Sequence, residues 1–270
     1  MALGLPCDTP PGLAPDRAPM ARDTIGLNYR SESLDLTDSA SVTVCVLVDS
    51  LGLVREAHLS RGTTPFDSAA VDAVRWWLFD PARRGAAAVP AWQSVFVRAR
   101  PPVDAEPLVP DVLALATNAE ARGDARGALD AWTGALARVG VHPTLRNEWV
   151  IREHILRLAS ALAKPPSVPL SAEGQARGAR NLMQRNIARG ANADYAQTLD
   201  GVLRAAPWYV NAYRWRAAAR AACGQRAGAM RDLLCYRLGV PDSASRVLAD
   251  RALVMLAAGD TLSANSLLKN

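Results

Sequence analysis

The stretch Ala73–Gly85, AVRWWLFDPARRG, places Trp76, Trp77 and Phe79 within four residues and then meets a proline. Pro81 disfavours helical geometry at the residue before it, so a helix running into this segment ends by about Leu78. The other end of that helix is marked in TTPFDSAAVDAV. Thr64 is the expected cap, Pro65 suits the first helical position, and Asp67 stands three residues after the cap. Phe66, Ala70, Val74 and Trp77 recur at helical spacing on one face, with Asp67, Asp72 and Arg75 off it. Trp77 and Phe79 are expected to seal a sheet where the helix ends, each burying roughly 150–250 Å². Trp76 points away from that face and has no packing partner in the pattern.

The sheet is written on both sides of the helix. In Ser41–Asp49, SVTVCVLVD, the residues Val42, Val44, Val46 and Val48 alternate onto one face, as a half-buried strand requires. DSLG then reads as a tight turn with Gly52 in the left-handed region. A second strand, Leu53 to Leu59, sets Leu53, Ala57 and Leu59 on one side. After the helix, AWQSVFVRAR is a third strand, Trp92 to Arg100, stopped by Pro101 and Pro102. The order strand, strand, helix, strand predicts a small α+β domain over residues 39–103.

The third strand is expected at an open edge of this sheet. Gln93, Ser94, Val95, Phe96 and Val97 are its unprotected part, because arginine enters only at Arg98 and Arg100. Such an edge can accept a peptide strand. It can also be covered by a second copy of the chain, as a homodimer, or by TIGLNYR (Thr24–Arg30), which alternates weakly. The rest of residues 1–38 reads as a flexible Pro-rich segment.

The hairpin with its VDxxG turn, the helix carrying FDSAAVDAVRWWLFDPARRG, and the closing VPAWQSVFVR strand together resemble the TonB C-terminal domain. The matching residues are Asp49, Gly52, Gly62, Asp67, Ala69, Ala70, Val74, Trp77, Phe79, Pro81, Ala82 and Gly85, across about residues 40 to 100. The resemblance implies a periplasmic or cell-envelope domain without catalytic groups. In that family the domain binds a peptide of an outer-membrane TonB-dependent receptor by strand addition and transmits energy from an inner-membrane motor. The family's energy transducers carry a membrane helix, a long Pro-rich spacer and a Tyr-Pro segment before the first strand. This sequence shows only a short Pro-rich start.

Beyond RPPVDAEPLVPD the chain reads as alanine-rich amphipathic helix with an internal period. Gly190 and Gly224, Leu199 and Leu233, and Pro207 and Pro241 each lie 34 residues apart. Five residues on from Gly123, Gly190, Gly224 and Gly259 stand Ala128, Tyr195, Ala229 and Ala264; nine on stand Trp132, Leu199, Leu233 and Leu268. The pattern resembles tetratricopeptide repeats over residues 104–270, degenerate near 143–175. Such repeats stack into a curved scaffold with a concave face. The resemblance sets Arg177, Arg180, Gln184, Asn211 and Arg214 on that face, where arginines can bind a carboxylate-bearing peptide or form a solvated surface.

Composition narrows the chemistry. The chain is 50% hydrophobic and 21% charged with net charge +5, and Lys164 and Lys269 are its two lysines. No run of arginines interleaved with aromatics, as a nucleic-acid surface would carry, occurs before the C-terminal half, and no nucleic acid is expected. No run reaches membrane-helix length, and MALGLPCDTPPGLAP has neither the basic start nor the apolar core of a secretory signal. Pro6 beside Cys7 does not suit lipid anchoring.

Cys7, Cys45, Cys223 and Cys235 lack metal-ligand spacing, and free thiols are expected. His58 can face Cys45 across the hairpin, but no third orienting group completes a nucleophilic site. His142 and His154 show no ligand spacing to another His, Cys or acid. No phosphate-binding or GxSxG motif occurs. No enzyme, metal or cofactor is expected. Two readings remain: an envelope protein that binds a receptor or partner peptide by strand addition beside a repeat scaffold, and a soluble repeat scaffold whose small domain is structural.

Overall fold

The computed structural model of the 270-residue chain describes residue 7 and residues 14–30, 40–62, 64–99, 111–142, 144–185 and 189–269. A strand-bearing region is followed by helices, an α+β composition. The chain forms two compact units, Met1–Leu115 with Arg138–Val150, and Ala116–Ala137 with Ile151–Asn270.

The first unit holds β1 (Met20–Asp23), β2 (Ala40–Val48), β3 (Val54–Arg61), α1 (Asp67–Val74), β4 (Leu78–Asp80), β5 (Ala82–Arg84), β6 (Ala87–Val89) and β7 (Ala91–Ala99). Its main sheet has the antiparallel order β3-β2-β7. Strands β2 and β7 pair without irregularity from Ala40↔Ala99 to Val48↔Ala91. The alternating valines Val42, Val44, Val46 and Val48 are fully buried and meet Phe66, Ala70 and Val74. Arg100 and residues 101–110, including Pro101 and Pro102, lie outside the described residues, as do 31–39.

The helix is shorter than its sequence pattern. It starts at Asp67 with Phe66 as N-cap, and Thr64 acts before it: its Oγ1 accepts from Phe66 N at 3.3 Å and donates to Asp67 Oδ1 at 2.9 Å. It ends at Val74 rather than near Leu78. Arg75 N still reaches Val71 O at 3.4 Å, but Trp76 N and Trp77 N tighten onto Ala73 O and Val74 O, three residues back, and the chain then leaves the helix. Phe79 N donates to Gly52 O at 2.9 Å, and β4 pairs antiparallel with β1. Gly52 has φ +83°, and a Cβ there would strike the Phe79 carbonyl oxygen. The Asp49 carboxylate holds the same turn by accepting from Leu51 N at 2.8 Å and Leu53 N at 2.9 Å. One interlocked turn thus accounts for Asp49, Gly52 and Phe79 together.

Three other expectations change. The second strand runs from Val54, not Leu53, and Leu59 is exposed while Ala57 is buried. Thr24–Arg30 is irregular rather than a strand, yet it buries Leu27 and Tyr29 in the core. Trp76 does have a partner: it is buried and stacks on Trp149, with ring centroids 6.0 Å apart. Trp77 is buried as expected, and its Nε1 donates to Ile25 O at 3.0 Å.

Helices follow in the order α2 (Val112–Ala121), α3 (Ala125–Ala137), α4 (Glu148–Ala161), α5 (Leu170–Gln184), α6 (Arg189–Ala205), α7 (Val210–Ala222), α8 (Arg226–Gly239), α9 (Ser243–Ala257) and α10 (Thr261–Lys269). In the second unit α7 packs against α6, α8 and α10. Both repeat positions are buried on every helix that carries them: Ala128, Tyr195, Ala229 and Ala264, and Trp132, Leu199, Leu233 and Leu268. Gly123, Gly224 and Gly259 have positive φ in the turns before α3, α8 and α10, whereas Gly190 falls inside α6.

An ion network joins α6, α7 and α8. The Arg216 guanidinium is 1% exposed, donates from Nη2 to Asp232 Oδ1 at 2.6 Å and from Nη1 to Asp200 Oδ1 at 2.6 Å. Arg220 reaches the same two carboxylates, at 3.0 Å and 3.2 Å.

Candidate functional site

The described part of the expected edge, through Ala99, is β7. It lies at one side of its sheet, and among the described residues no strand pairs with it on the side away from β2. Its period of two is plain in the burial: Val95 and Val97 enter the core, Gln93 and Ser94 are half-buried, and Phe96 is 73% exposed. Arg98, on the same face as Phe96, is exposed as well.

Alongside the far end of β7 runs the segment Thr24–Tyr29. Among the described residues no backbone hydrogen bond joins it to β7; Tyr29 N and Ile25 O are bonded elsewhere. Asn28 is the fastener. Its Oδ1 accepts from the Arg146 and Asn147 amides, both at 2.7 Å, and its Nδ2 donates to Asn147 O at 2.8 Å. Tyr29 N donates to Thr144 O at 3.3 Å, and a Cβ on Gly26 would lie 3.2 Å from the Arg146 Cβ. The segment is thereby held by Thr144–Asn147 and leaves a cleft of about 220 Å³ beside β7.

Leu27, Tyr29, Trp77 and Phe96 give this cleft apolar walls, while Arg98 and Arg146 give it charge. Burial pushes the Tyr29 phenol up, and the Arg146 charge pulls the other way. No acidic residue lines the cleft among the described residues, and neither arginine forms an ion pair there. Sequence reasoning missed Arg146 altogether. It stands far from the sheet in the chain, and no periodic pattern connects it to β7.

The cysteines depart from expectation. Cys7 and Cys45 form a disulfide with Cα atoms 5.4 Å apart, while Cys223 and Cys235 take part in no disulfide among the described residues. The bridge spans 38 residues, a separation that carries no motif. His58 does stand opposite Cys45 in the β2–β3 register. With the sulfur bonded to Cys7 that pair has no thiol to activate, and His58 Nε2 instead lies 3.4 Å from Glu56 Oε2. Among the described residues no group of three or more His, Cys, Asp or Glu is placed to hold a metal ion.

In the second unit the five expected groove residues have separate surroundings. Arg177 pairs with Glu173 at 2.6 Å, and Arg180 lies over the Trp215 ring, 5.5 Å from its centroid. Gln184 Nε2 donates to Lys269 O at 3.1 Å and Arg214 Nε to Leu268 O at 2.9 Å, so both hold the last turn of α10. Asn211 is exposed in the first turn of α7. The helix α10 is also tied by Asn265 Nδ2, which donates to Ala218 O at 2.6 Å.

His154, which showed no ligand spacing in the sequence, has an acid in the structure. Its Nδ1 lies 2.8 Å from Glu120 Oε1, the same oxygen that accepts from Trp132 Nε1, and its ring stacks on Trp132 at 4.2 Å. Among the described residues no helix is long and apolar enough to cross a membrane. No protein-family model, curated protein or solved structure matches this chain.

Proposed function

We propose that this chain is a non-enzymatic cell-envelope protein that binds a peptide of a receptor or partner protein by adding it as a strand to β7. The reading extends to a TonB-like role for the small domain, with the receptor an outer-membrane one, and to a tetratricopeptide-like scaffold for the helices. One observation carries it: β7 lies at a sheet edge with no described strand on its outer side. A row of unpaired N–H and C=O groups either recruits a strand or has to be blunted, and β7 carries no proline and a large exposed aromatic at Phe96.

The disulfide supports the compartment, because such bridges persist where the surroundings are oxidising, as in the bacterial periplasm. The helical face is the weaker binding surface, since Gln184 and Arg214 already hold α10.

The test is a proline scan of the edge. Val95→Pro removes one ladder donor if that N–H points outward; if it points inward, Ser94→Pro or Phe96→Pro is the informative variant. Peptide binding should fall at least about tenfold in the folded variant that loses an outward donor. Undiminished binding by every folded edge variant contradicts strand addition.

A further inference from the structure

The geometry points to a carboxylate-reading subsite at the end of β7: Arg98 and Arg146 select an acidic side chain on the added peptide strand, two residues from an apolar one that covers Phe96. The inference rests on the strand-addition reading and names the class of peptide that the edge takes.

Three observations converge on it. First, Phe96 and Arg98 are two apart on one strand, so they share a face and are read by peptide residues also two apart. An apolar residue opposite Phe96 then places its second neighbour against Arg98. Second, the cleft between β7 and Thr24–Tyr29 is lined by two arginines and by no acid among the described residues. Charge complementarity therefore favours an anion, and the apolar walls at Leu27 and Trp77 make that pairing stronger than it would be in open water. Third, Arg146 is positioned rather than free to drift: its amide donates to Asn28 and its Cβ rests against Gly26. Arginine suits this task because its planar donor fork meets both carboxylate oxygens, which lysine cannot match.

The assignment makes the site composite. Residues 144–147 clamp Thr24–Tyr29 and in the same stroke deliver the second cation to the end of the strand. A small sheet domain with this edge but without that clamp would lack half of the subsite.

The test uses the full chain and three short synthetic peptides of alternating threonine and valine, followed by isothermal titration calorimetry. One is acetylated and amidated with a single central glutamate. The second carries glutamine in its place. The third has the glutamine and a free C-terminal carboxylate. The glutamate peptide should bind the natural chain about tenfold more tightly than the glutamine peptide. Arg98→Gln and Arg146→Gln should each remove most of that preference by weakening the glutamate peptide several-fold more than the glutamine peptide. Both side chains are exposed, and circular dichroism confirms that each variant is folded before its binding is compared.

Equal affinity of the natural chain for the first two peptides overturns the subsite and leaves strand addition standing. A preference that survives both arginine variants overturns it as well. Tighter binding of the third peptide than the first overturns the choice of a side-chain carboxylate. Failure of all three to bind overturns strand addition, and the subsite with it.

Discussion

Trp76 and Trp77 are adjacent, yet both are buried, because α1 ends at Val74 and the chain turns between them and β4. In a continuing helix the two side chains would diverge by about 100° and one would face water. Here Trp76 finds Trp149 and Trp77 finds the core and the Ile25 carbonyl. Trp76→Ala and Trp77→Ala should therefore each cost about 3–5 kcal/mol, the usual loss for a large aromatic in a core. Chemical denaturation followed through the sheet unit measures this. A loss below about 1 kcal/mol at Trp76 would mean that the Trp149 stack contributes nothing beyond a surface contact.

His142 gives that unit a pH dependence. Burial lowers its pKa below the ordinary 6.5, with Asp111 pulling it up and Arg138 pushing it further down. Its Nδ1 lies 2.8 Å from Thr144 Oγ1, and its Nε2 is buried with no hydrogen-bond partner among the described residues. Because the folded imidazole binds its proton less readily than the unfolded one, the stabilisation is complete above the unfolded value of about 6.5. It is lost as pH falls from there through the lowered folded pKa. Thermal unfolding near pH 7.5 and near pH 5.5 should show the natural chain losing more stability on acidification than His142→Gln does. Equal losses in the two proteins would exclude the histidine as the source.

At the scale of elements, the ion network should behave as one unit. Asp232→Leu leaves Arg216 buried with too few acceptors and should cost about 3–5 kcal/mol, as breaking a buried pair generally does. Replacing both residues, Arg216→Met with Asp232→Leu, should cost less than the sum of the two single changes. Simple additivity in a double-mutant cycle would show that the pair is not coupled.

The elements also show what a linear pattern carries and what it does not. β2, β7 and the helix were legible because alternation and helical spacing repeat over eight or more residues, whereas β3 was legible mainly through the tight turn that precedes it. β4, β5 and β6 were not, since three residues cannot display a period. Instead they are set by long-range backbone partners such as Gly52 for Phe79 and Arg17 for Arg83. The repeat offsets survive as buried positions even where Gly190 no longer marks a turn, because core faces depend on side-chain size rather than on where a helix begins. Of the candidate site, the edge residues were legible and Arg146 was not. Cys7 was equally hidden, because a disulfide partner 38 residues away depends on tertiary approach alone.

For the whole molecule, the claim is that a small sheet held together by Asp49, Gly52 and the Asn28 clasp presents β7 as a place for another strand. Hydrogen–deuterium exchange of the full chain, with and without the glutamate-bearing peptide, tests this most directly. An added strand protects the outward amides of β7, which alternate with amides already bonded to β2. Strand addition should slow exchange at every second amide within Ala91–Ala99 alone, with β3 and helices α5 to α10 unchanged. Protection that appears in the helices while β7 exchanges as before would contradict it.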